Sequence, residues 1–257
     1  MNHNLLEKHA KTFYWASFFL SREISQKCSS LYNFCRTLDD IADDTNKLNI
    51  KKNNFSAFKK DFLNKNFDNP IIEEMHSIID SENISKKVVI DLFDGVETDL
   101  EEKVRIKSKK DLLVYSYRVA GTVGLMMSKI LKVENKEALK GAIDLGIAMQ
   151  LTNISRDVIE DKKRDRKYID SDFFYIKETI KESEIFYQKS FNSMSAIPLR
   201  SRFSVIVARR VYKKIGHFIL KQKSTENYNK AGKIYVPIFG KIIETFLSIY
   251  DFIKLLF

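Results

Sequence analysis

Apolar residues recur at helical spacing along almost the whole chain. One such run has an apolar residue at every third or fourth position, at Ile24, Cys28, Leu31, Cys35, Leu38 and Ala42. This spacing gives a helix one apolar face, whereas the alternating runs that are typical of half-buried strands are scarce. The pattern therefore predicts an all-α fold.

Stretches rich in Asn, Lys and Asp separate the predicted helices. The helices are expected over residues 4–19, 22–44, 53–64, 70–79, 85–104, 109–131, 135–161, 175–192, 198–222 and 238–255. Only 8 Gly and 3 Pro are spread through the 257 residues and no linker-like stretch divides them, so we expect one domain over residues 1–257. Apolar residues make up 44% of the chain, enough for a large core and for aromatic rings to line a cavity.

The net charge of the chain indicates which kinds of partner it can bind. The formal charge is +10 at pH 7, but most basic residues are scattered lysines, so no nucleic-acid partner is expected. An anionic membrane surface or a phosphorylated substrate suits this charge equally well.

Cys28 and Cys35 are seven residues apart on one predicted helix, about 10 Å at 1.5 Å per residue, which is too far for a disulfide. We therefore expect free thiols in a reducing cytoplasm.

An acidic stripe lies on the second predicted helix. Helical spacing puts Tyr32, Arg36, Asp39 and Asp43 on one line beside the apolar face. Aspartates four residues apart repel each other by a few tenths of a kcal/mol, about 0.2–0.5 kcal/mol, and Asp is a poor helix former. A divalent cation is the compensation that this pattern suggests.

A second acidic stripe lies on the predicted helix 135–161. At 100° per residue, a narrow arc contains Gln150, Asn153, Asp157 and Asp161, next to apolar positions. Polar groups there are costly to bury in a dry interior, which favours a wet, ion-filled cavity.

The pair of stripes points to a metal and phosphate site. One Asp-x-x-x-Asp motif alone is more often a solvated helix face, but two such motifs, each with an Arg before its first Asp, favour a functional site. Carboxylate oxygens suit Mg²⁺, which proteins usually hold together with substrate phosphates. Arg36, Arg156 and Arg166 offer planar donors for phosphate oxygens.

Both acidic segments resemble the two signatures of the squalene and phytoene synthases. Further segments are similar to that family in the same order, namely residues 11–14, 117–124, 164–168, 208–212 and 227–228, so the resemblance spans about residues 9–240. It implies a helical bundle of the isoprenoid synthase type with a central active-site cavity. Asp170 and Lys233 depart from the family pattern, where a proline and an arginine are usual.

The resemblance also implies roles for individual residues. It assigns Mg²⁺, with Mn²⁺ as a substitute, to Asp39, Asp43, Asn153, Asp157 and Asp161. It adds catalytic roles for the four aspartates and for Tyr32, Arg36, Arg156 and Tyr168. Substrate binding is expected from His9, Lys11, Thr12, Phe13, Tyr32, Arg36, Ala120, Val123, Gly124, Gln150, Arg156, Arg166 and Tyr228. Close helix packing is an alternative role for the glycines, and a surface or capping role is an alternative for His9.

By the same resemblance, the chain joins two allylic prenyl diphosphates head to head through a cyclopropyl diphosphate. The run from Arg118 to Met127 is most similar to phytoene synthases, which use two geranylgeranyl diphosphates. Condensation of farnesyl diphosphate to presqualene diphosphate, squalene or dehydrosqualene is the first alternative. A non-catalytic helical relative is the second. No NADPH is expected, because no Gly-rich dinucleotide motif is found.

The C-terminal tail carries more apolar residues than one packed helix face requires. They are Ile238, Ile242, Ile243, Phe246, Leu247, Ile249, Tyr250, Ile253 and Leu256. The helix either docks the protein on a membrane or closes the core. The start of the chain lacks the apolar core of a signal peptide, so we expect a cytoplasmic protein, with a peripheral position on the inner face of the membrane as a further possibility.

Overall fold

The computed structural model describes residues 10–256, and almost all of its regular structure is helical. The α-helices are α1 (Lys11–Ser17), α2 (Arg22–Asp43), α3 (Leu48–Leu63), α4 (Pro70–Ser81), α5 (Lys86–Glu97), α6 (Lys109–Ser116), α7 (Thr122–Ile130), α8 (Lys136–Lys163), α9 (Phe173–Ser193), α10 (Leu199–Leu220), α11 (Thr225–Ala231) and α12 (Ile238–Lys254). Short 3-10 turns cover Thr98–Leu100 and Met194–Ala196, and a π-helical segment, Tyr117–Gly121, joins α6 to α7. The all-α prediction is confirmed.

Local sequence explains where several helices begin. The side chains of Ser21, Asn135 and Asp172 accept hydrogen bonds from backbone N–H groups in the first turns of α2, α8 and α9. These bonds satisfy donors that lack a partner inside the helix. Asn69 caps α4 in the same way, and Pro70 follows at its first position, where a missing N–H costs nothing.

Helix α8 is the central element of the bundle. Helix α9 packs along it, and α7, α10 and the π-helical segment also contact it. One large apolar core lies among α2, α3, α4, α5 and α7. A second core joins α1 and α8 to α9 and α10. Helix α2 therefore packs in the first core, and the C-terminal half of α8 contributes Val158 to the second.

Three local differences from the predicted elements stand out. Helix α5 ends at Glu97 rather than at 104, and Val104–Arg105 instead pairs in parallel with Arg166–Lys167. Helix α3 begins at Leu48 rather than at 53. Helix α11 lies in a segment that was not predicted to be helical. Within residues 10–256, no helix is long and apolar enough to cross a membrane.

Candidate active site

The first acidic stripe lies at the end of α2 and is tied to the segment after α8. Asp43 accepts a hydrogen bond of 2.7 Å from Arg166 and forms an ion pair of 3.2 Å with Arg164. The guanidinium of Arg166 is buried and also donates to the carbonyl oxygens of Ala42 and Asp99, at 3.0 and 3.2 Å. Arg166 therefore fixes the end of α2 against the short strand pair.

The second acidic stripe lies in the C-terminal half of α8. Asp157 accepts two hydrogen bonds from the neighbouring Arg156, at 2.8 and 2.6 Å. Lys233, which replaces a usual arginine, lies 3.3 Å from the same carboxylate and pairs with Glu160 at 2.6 Å. Both Asp43 and Asp157 are thus held by cations of the protein.

The carboxyl groups of Asp39 and Asp161 have raised pKa values. Removal of water by the surrounding protein, followed by repulsion from Asp43, raises the pKa of Asp39 to about 7. The pKa of Asp161 also rises to about 7, because of burial and the charge of Asp157. Asp99 contributes to both increases, so it lies close to both stripes. Negative charge from α2, α8 and the 3-10 turn after α5 is therefore concentrated in one region.

Asp99 is a site residue that the sequence did not reveal. It accepts hydrogen bonds from the hydroxyls of Tyr115, at 2.8 Å, and Tyr168. The two tyrosine rings stack with centroids 4.8 Å apart, and the Tyr115 hydroxyl lies 3.1 Å from that of Tyr168. Burial raises the pKa of both tyrosines, so both stay protonated donors. The position of Tyr115, two residues before the matched segment 117–124, was the available signal.

An apolar cavity of about 300 Å³ opens beside the two stripes. Its wall includes the predicted residues Phe13, Tyr32, Ala120, Val123, Gly124, Gln150 and Asn153. Small side chains such as Ser17, Ser128 and Ala138 line other parts of it. Tyr212, which had no predicted role, also lines the cavity and packs on Phe13 with ring centroids 5.0 Å apart. The structure therefore joins a charged region to an apolar chamber.

Two glycines let the helices around the cavity approach closely. A Cβ at Gly124 would overlap the carbonyl oxygen of Ala142, and a Cβ at Gly146 would overlap that of Ala120. Gly124 therefore packs α7 against α8 and also lines the cavity, while its role in substrate binding stays a prediction. A π-helical segment at this point is consistent with the frequent use of such segments at functional sites.

Comparison with known proteins identifies the family. The chain matches the family model of squalene/phytoene synthase over residues 6–192. The chain belongs to the squalene/phytoene synthase family. It is 26% identical over 251 residues to a 15-cis-phytoene synthase of Enterobacter agglomerans, with 85% of each chain covered. A 15-cis-phytoene synthase of Paracoccus is 28% identical over 219 residues, which cover 74% of this chain and 72% of the relative.

Solved structures agree with this family. A dehydrosqualene synthase in complex with ligand has a TM-score of 0.79 at 25% identity, over 97% of this chain and 94% of that one. A squalene synthase from Alicyclobacillus acidocaldarius, 18% identical, has a TM-score of 0.72 over 85% and 91% of the two chains and supports the fold alone. The predicted isoprenoid synthase fold and the class of enzyme, a prenyltransferase, are confirmed.

Some residues that the family resemblance singled out lie away from the cavity wall. Lys11 is exposed at the start of α1, with Thr12 half-buried beside it. Tyr228 is buried, and its hydroxyl bonds to the carbonyl oxygens of Ser155 and Arg156 at 2.9 and 2.8 Å. This contact braces α8 behind Arg156, and direct binding of substrate by Tyr228 stays a prediction. His9 lies outside the described residues.

The oxygen ligands around the cavity fit a divalent cation of the kind that the family uses. The buried side-chain oxygen of Asn153 has no hydrogen-bond partner in the described part of the chain. The carboxylates of Asp39 and Asp161 repel their neighbours, and a cation relieves that repulsion. Residues 10–256 hold no group of three His, Cys, Asp or Glu side chains that could bind a metal ion unaided.

Proposed function

We propose that this enzyme joins two molecules of geranylgeranyl diphosphate head to head to give phytoene, through a cyclopropyl diphosphate. The observation that carries the proposal is the apolar cavity that opens beside two acidic stripes and their arginines. The charged end suits diphosphates and the chamber suits prenyl chains. Relatives that are 26–28% identical and bear the name 15-cis-phytoene synthase support the choice of product.

Arg36, Arg156 and Arg166 are the proposed diphosphate ligands. Arg36 pairs with Asp40 and has a buried Nε without a partner in the described residues, while the other two hold Asp157 and Asp43. Each guanidinium has further donors that phosphate oxygens can accept from. A diphosphate that draws an arginine away frees an aspartate in the same event. Asp43 and Asp157 are thereby released only when substrate is bound.

A divalent cation would be held by Asp39, Asp43, Asn153, Asp157 and Asp161, and it supplies charge neutralisation for the leaving diphosphate. We propose Mg²⁺ in this role, with Mn²⁺ as a substitute. The side chains of the chamber exclude water from the reactive allylic cations. Tyr32 lines the chamber, and we assign its ring the role of attracting positive charge. No NADPH and no nucleic-acid partner are proposed.

Farnesyl diphosphate is the second candidate substrate, favoured by the likeness to a dehydrosqualene synthase. The small side chains Ser17, Ser128 and Ala138 in the cavity wall favour the longer, twenty-carbon chain. The head-to-head chemistry is the same for both substrates.

Incubation of the purified protein with Mg²⁺ and either prenyl diphosphate tests the proposal. Chromatography of the extracted hydrocarbon should give a forty-carbon product from geranylgeranyl diphosphate. A thirty-carbon product from farnesyl diphosphate, with no product from the longer substrate, would select the alternative. Absence of any hydrocarbon from either substrate would leave the non-catalytic relative.

A further inference from the structure

Helix α12 has its polarity reversed relative to an ordinary surface helix. Its buried residues are Glu244, Ser248 and Asp251, which are all polar. Its exposed residues include Phe239 and eight of the nine apolar tail residues singled out by the sequence, and the ninth, Leu256, is exposed just after the helix. A helix on the surface of a protein normally turns its apolar face inward. The apolar face of α12 therefore points outward. This outward face is defined here by Ile238, Phe239, Ile242, Ile243, Phe246, Leu247, Ile249, Tyr250, Ile253 and, just after the helix, Leu256.

Ion pairs with α10 fix this orientation. Arg210 reaches both carboxylates, with contacts of 3.0 Å to Glu244 and 2.8 Å to Asp251. Lys214 lies 2.9 Å from Glu244, and the side chain of Glu244 is almost fully buried. Turning α12 over would leave buried charges without partners, which is strongly destabilising. The apolar face is thus held outward by the packing of the helix.

The outward face is continuous and largely aromatic at its most exposed points. Phe239, Phe246 and Tyr250 are exposed by 68–70%, and Tyr235 before the helix is exposed by 61%. Over the 17 residues of α12 the face is about 25 Å long at 1.5 Å per residue. Exposed apolar patches of this kind mark interaction sites.

The charges on α12 distinguish between two possible apolar partners, a second copy of the chain and a lipid bilayer. Both acidic residues of α12 point inward, while its two lysines, Lys241 and Lys254, lie near the two ends of the helix. Lys11 adds a third cation nearby, because burial and then the charge of Lys11 lower the pKa of Lys241. A second copy packed on this face would bring lysines together without a carboxylate of α12 to pair with them. A lipid bilayer with an anionic surface can bury the apolar face and also attract the lysines beside it.

We propose that the outward face of α12 docks the protein on the surface of an anionic lipid bilayer, with the helix lying in the plane of the membrane. The surface lies next to the cavity wall, because Trp15 of α1 donates a hydrogen bond of 2.9 Å to Thr245 and other α1 residues line the cavity. Docking therefore brings α1, which forms part of the cavity wall, close to the membrane. Only the benefit of this position, release of an apolar product into lipid, rests on the proposed function.

A vesicle-binding experiment without substrate tests the surface. The wild-type protein should sediment with phosphatidylcholine vesicles that contain phosphatidylglycerol, and salt should weaken this binding. The double variant Phe246→Ser/Tyr250→Ser should bind about tenfold more weakly or worse, because two rings no longer enter the lipid. Its melting temperature should stay close to that of the wild type, since the two rings are 68% and 70% exposed.

The chain offers a matched control at the start of α9. Phe174 and Tyr175 are a second exposed Phe and Tyr, at 61% and 51% exposure, and the variant Phe174→Ser/Tyr175→Ser should bind vesicles like the wild type. Equal loss of binding in this control would overturn the assignment to α12. Lys241→Gln/Lys254→Gln should remove the preference for phosphatidylglycerol, and a preference that survives unchanged would overturn the role of the lysines.

Two further outcomes count against docking. A wild-type protein that fails to bind phosphatidylglycerol vesicles at low salt overturns the proposal. Light scattering that shows a dimer, dissociated by Phe246→Ser/Tyr250→Ser, would assign the face to a second copy instead. Turnover of detergent-dispersed substrate should be unchanged in the Phe246→Ser/Tyr250→Ser variant, because neither side chain lines the cavity. The proposed function and the docking surface therefore succeed or fail in separate measurements.

Discussion

Asp39 is the acidic residue whose loss should harm catalysis with the least harm to folding. Loss of water around its carboxyl group, followed by repulsion from Asp43 and Asp99, raises its pKa and disfavours the charged form. Asp39→Ala should lower turnover by about a hundredfold or more, the scale of losing one electrostatic contact to the reacting group. Helical circular dichroism should be unchanged. The control is Asp44→Ala, which removes an exposed carboxylate that bonds to Asn46 and should leave turnover intact. Full activity in Asp39→Ala would remove the paired-stripe site.

Removing the hydroxyl of Tyr115 or of Tyr117 compares a group at the candidate site with a group away from it. Each donates to a carboxylate, Tyr115 to Asp99 at 2.8 Å and Tyr117 to Asp91 at 3.1 Å. Tyr115→Phe takes a donor from the carboxylate that lies close to both stripes, so kcat should fall about tenfold or more. Tyr117→Phe loses a comparable bond away from the stripes and should keep kcat. Steady-state kinetics of the two variants, compared at equal folded fraction, make the test, and equal kcat values would count against a role for Asp99.

At the residue scale, sequence reasoning reached the groups that carry their own pattern. The two stripes are helical repeats of like residues, so spacing alone predicts that their members share a face. Asp99 carries no such pattern, because a single Asp within residues 97–102 is typical of a solvated surface. Its position follows from the pairing of Val104 with Arg166, which only the fold reveals. The five proposed metal ligands stay predictions.

The contact of α8 with the π-helical segment depends on Gly146. Gly146→Ala forces a Cβ against the backbone of Ala120, which cannot turn away as a side chain can. We expect a loss of about 1–3 kcal/mol in the free energy of unfolding, as in overpacked cores. Gly216→Ala in α10 is the control, since its Cβ would meet only a side chain of Ile180, at 3.3 Å. Urea denaturation should show a clear loss in the first variant and a change within about 1 kcal/mol in the second.

The predicted secondary structure was wrong where tertiary contacts override the local sequence pattern. Helix α11 has only seven residues and one buried side chain, Tyr228, so no apolar period is visible in it. Its start is nevertheless marked by Ser224, whose side chain accepts from the backbone N–H of Asn227. The π-helical segment was invisible for another reason. It lies where α8 approaches closely at Gly146, and residue composition does not record that approach.

For the whole molecule, sequence reasoning found the surplus of apolar residues in the tail but not its direction. All nine tail residues are exposed, so these side chains do not fill the core, and docking of the helix stays a prediction. Their outward position follows from Arg210 and Lys214 on α10, which capture the carboxylates of α12. Such long-range pairing is absent from local periodicity. The prediction of a single domain over residues 1–257 stays a prediction.

Metal and diphosphate should act together on the stability of the whole molecule. Asp43 and Asp157 are each paired with an arginine of the protein. Mg²⁺ alone should therefore bind weakly, whereas Mg²⁺ with inorganic diphosphate completes the shell and draws the arginines to phosphate. At about 100 times the dissociation constant, binding adds about 2.7 kcal/mol, or about 5–10 °C in melting temperature for a chain of this size.

Scanning calorimetry with each component alone and with both together measures this coupling. Asp39→Ala/Asp157→Ala should lose the shift, and the Asp44→Ala control should retain it. Turnover should vanish in EDTA and return with Mg²⁺ or Mn²⁺ in preference to Ca²⁺, whose longer oxygen distances suit a tight diphosphate cluster poorly. A full shift with diphosphate in EDTA would show that the arginines bind phosphate without a metal, and unchanged turnover in EDTA would refute the role proposed for the aspartates. The two readouts separate binding of the metal from its use, because the calorimetric shift requires no reaction.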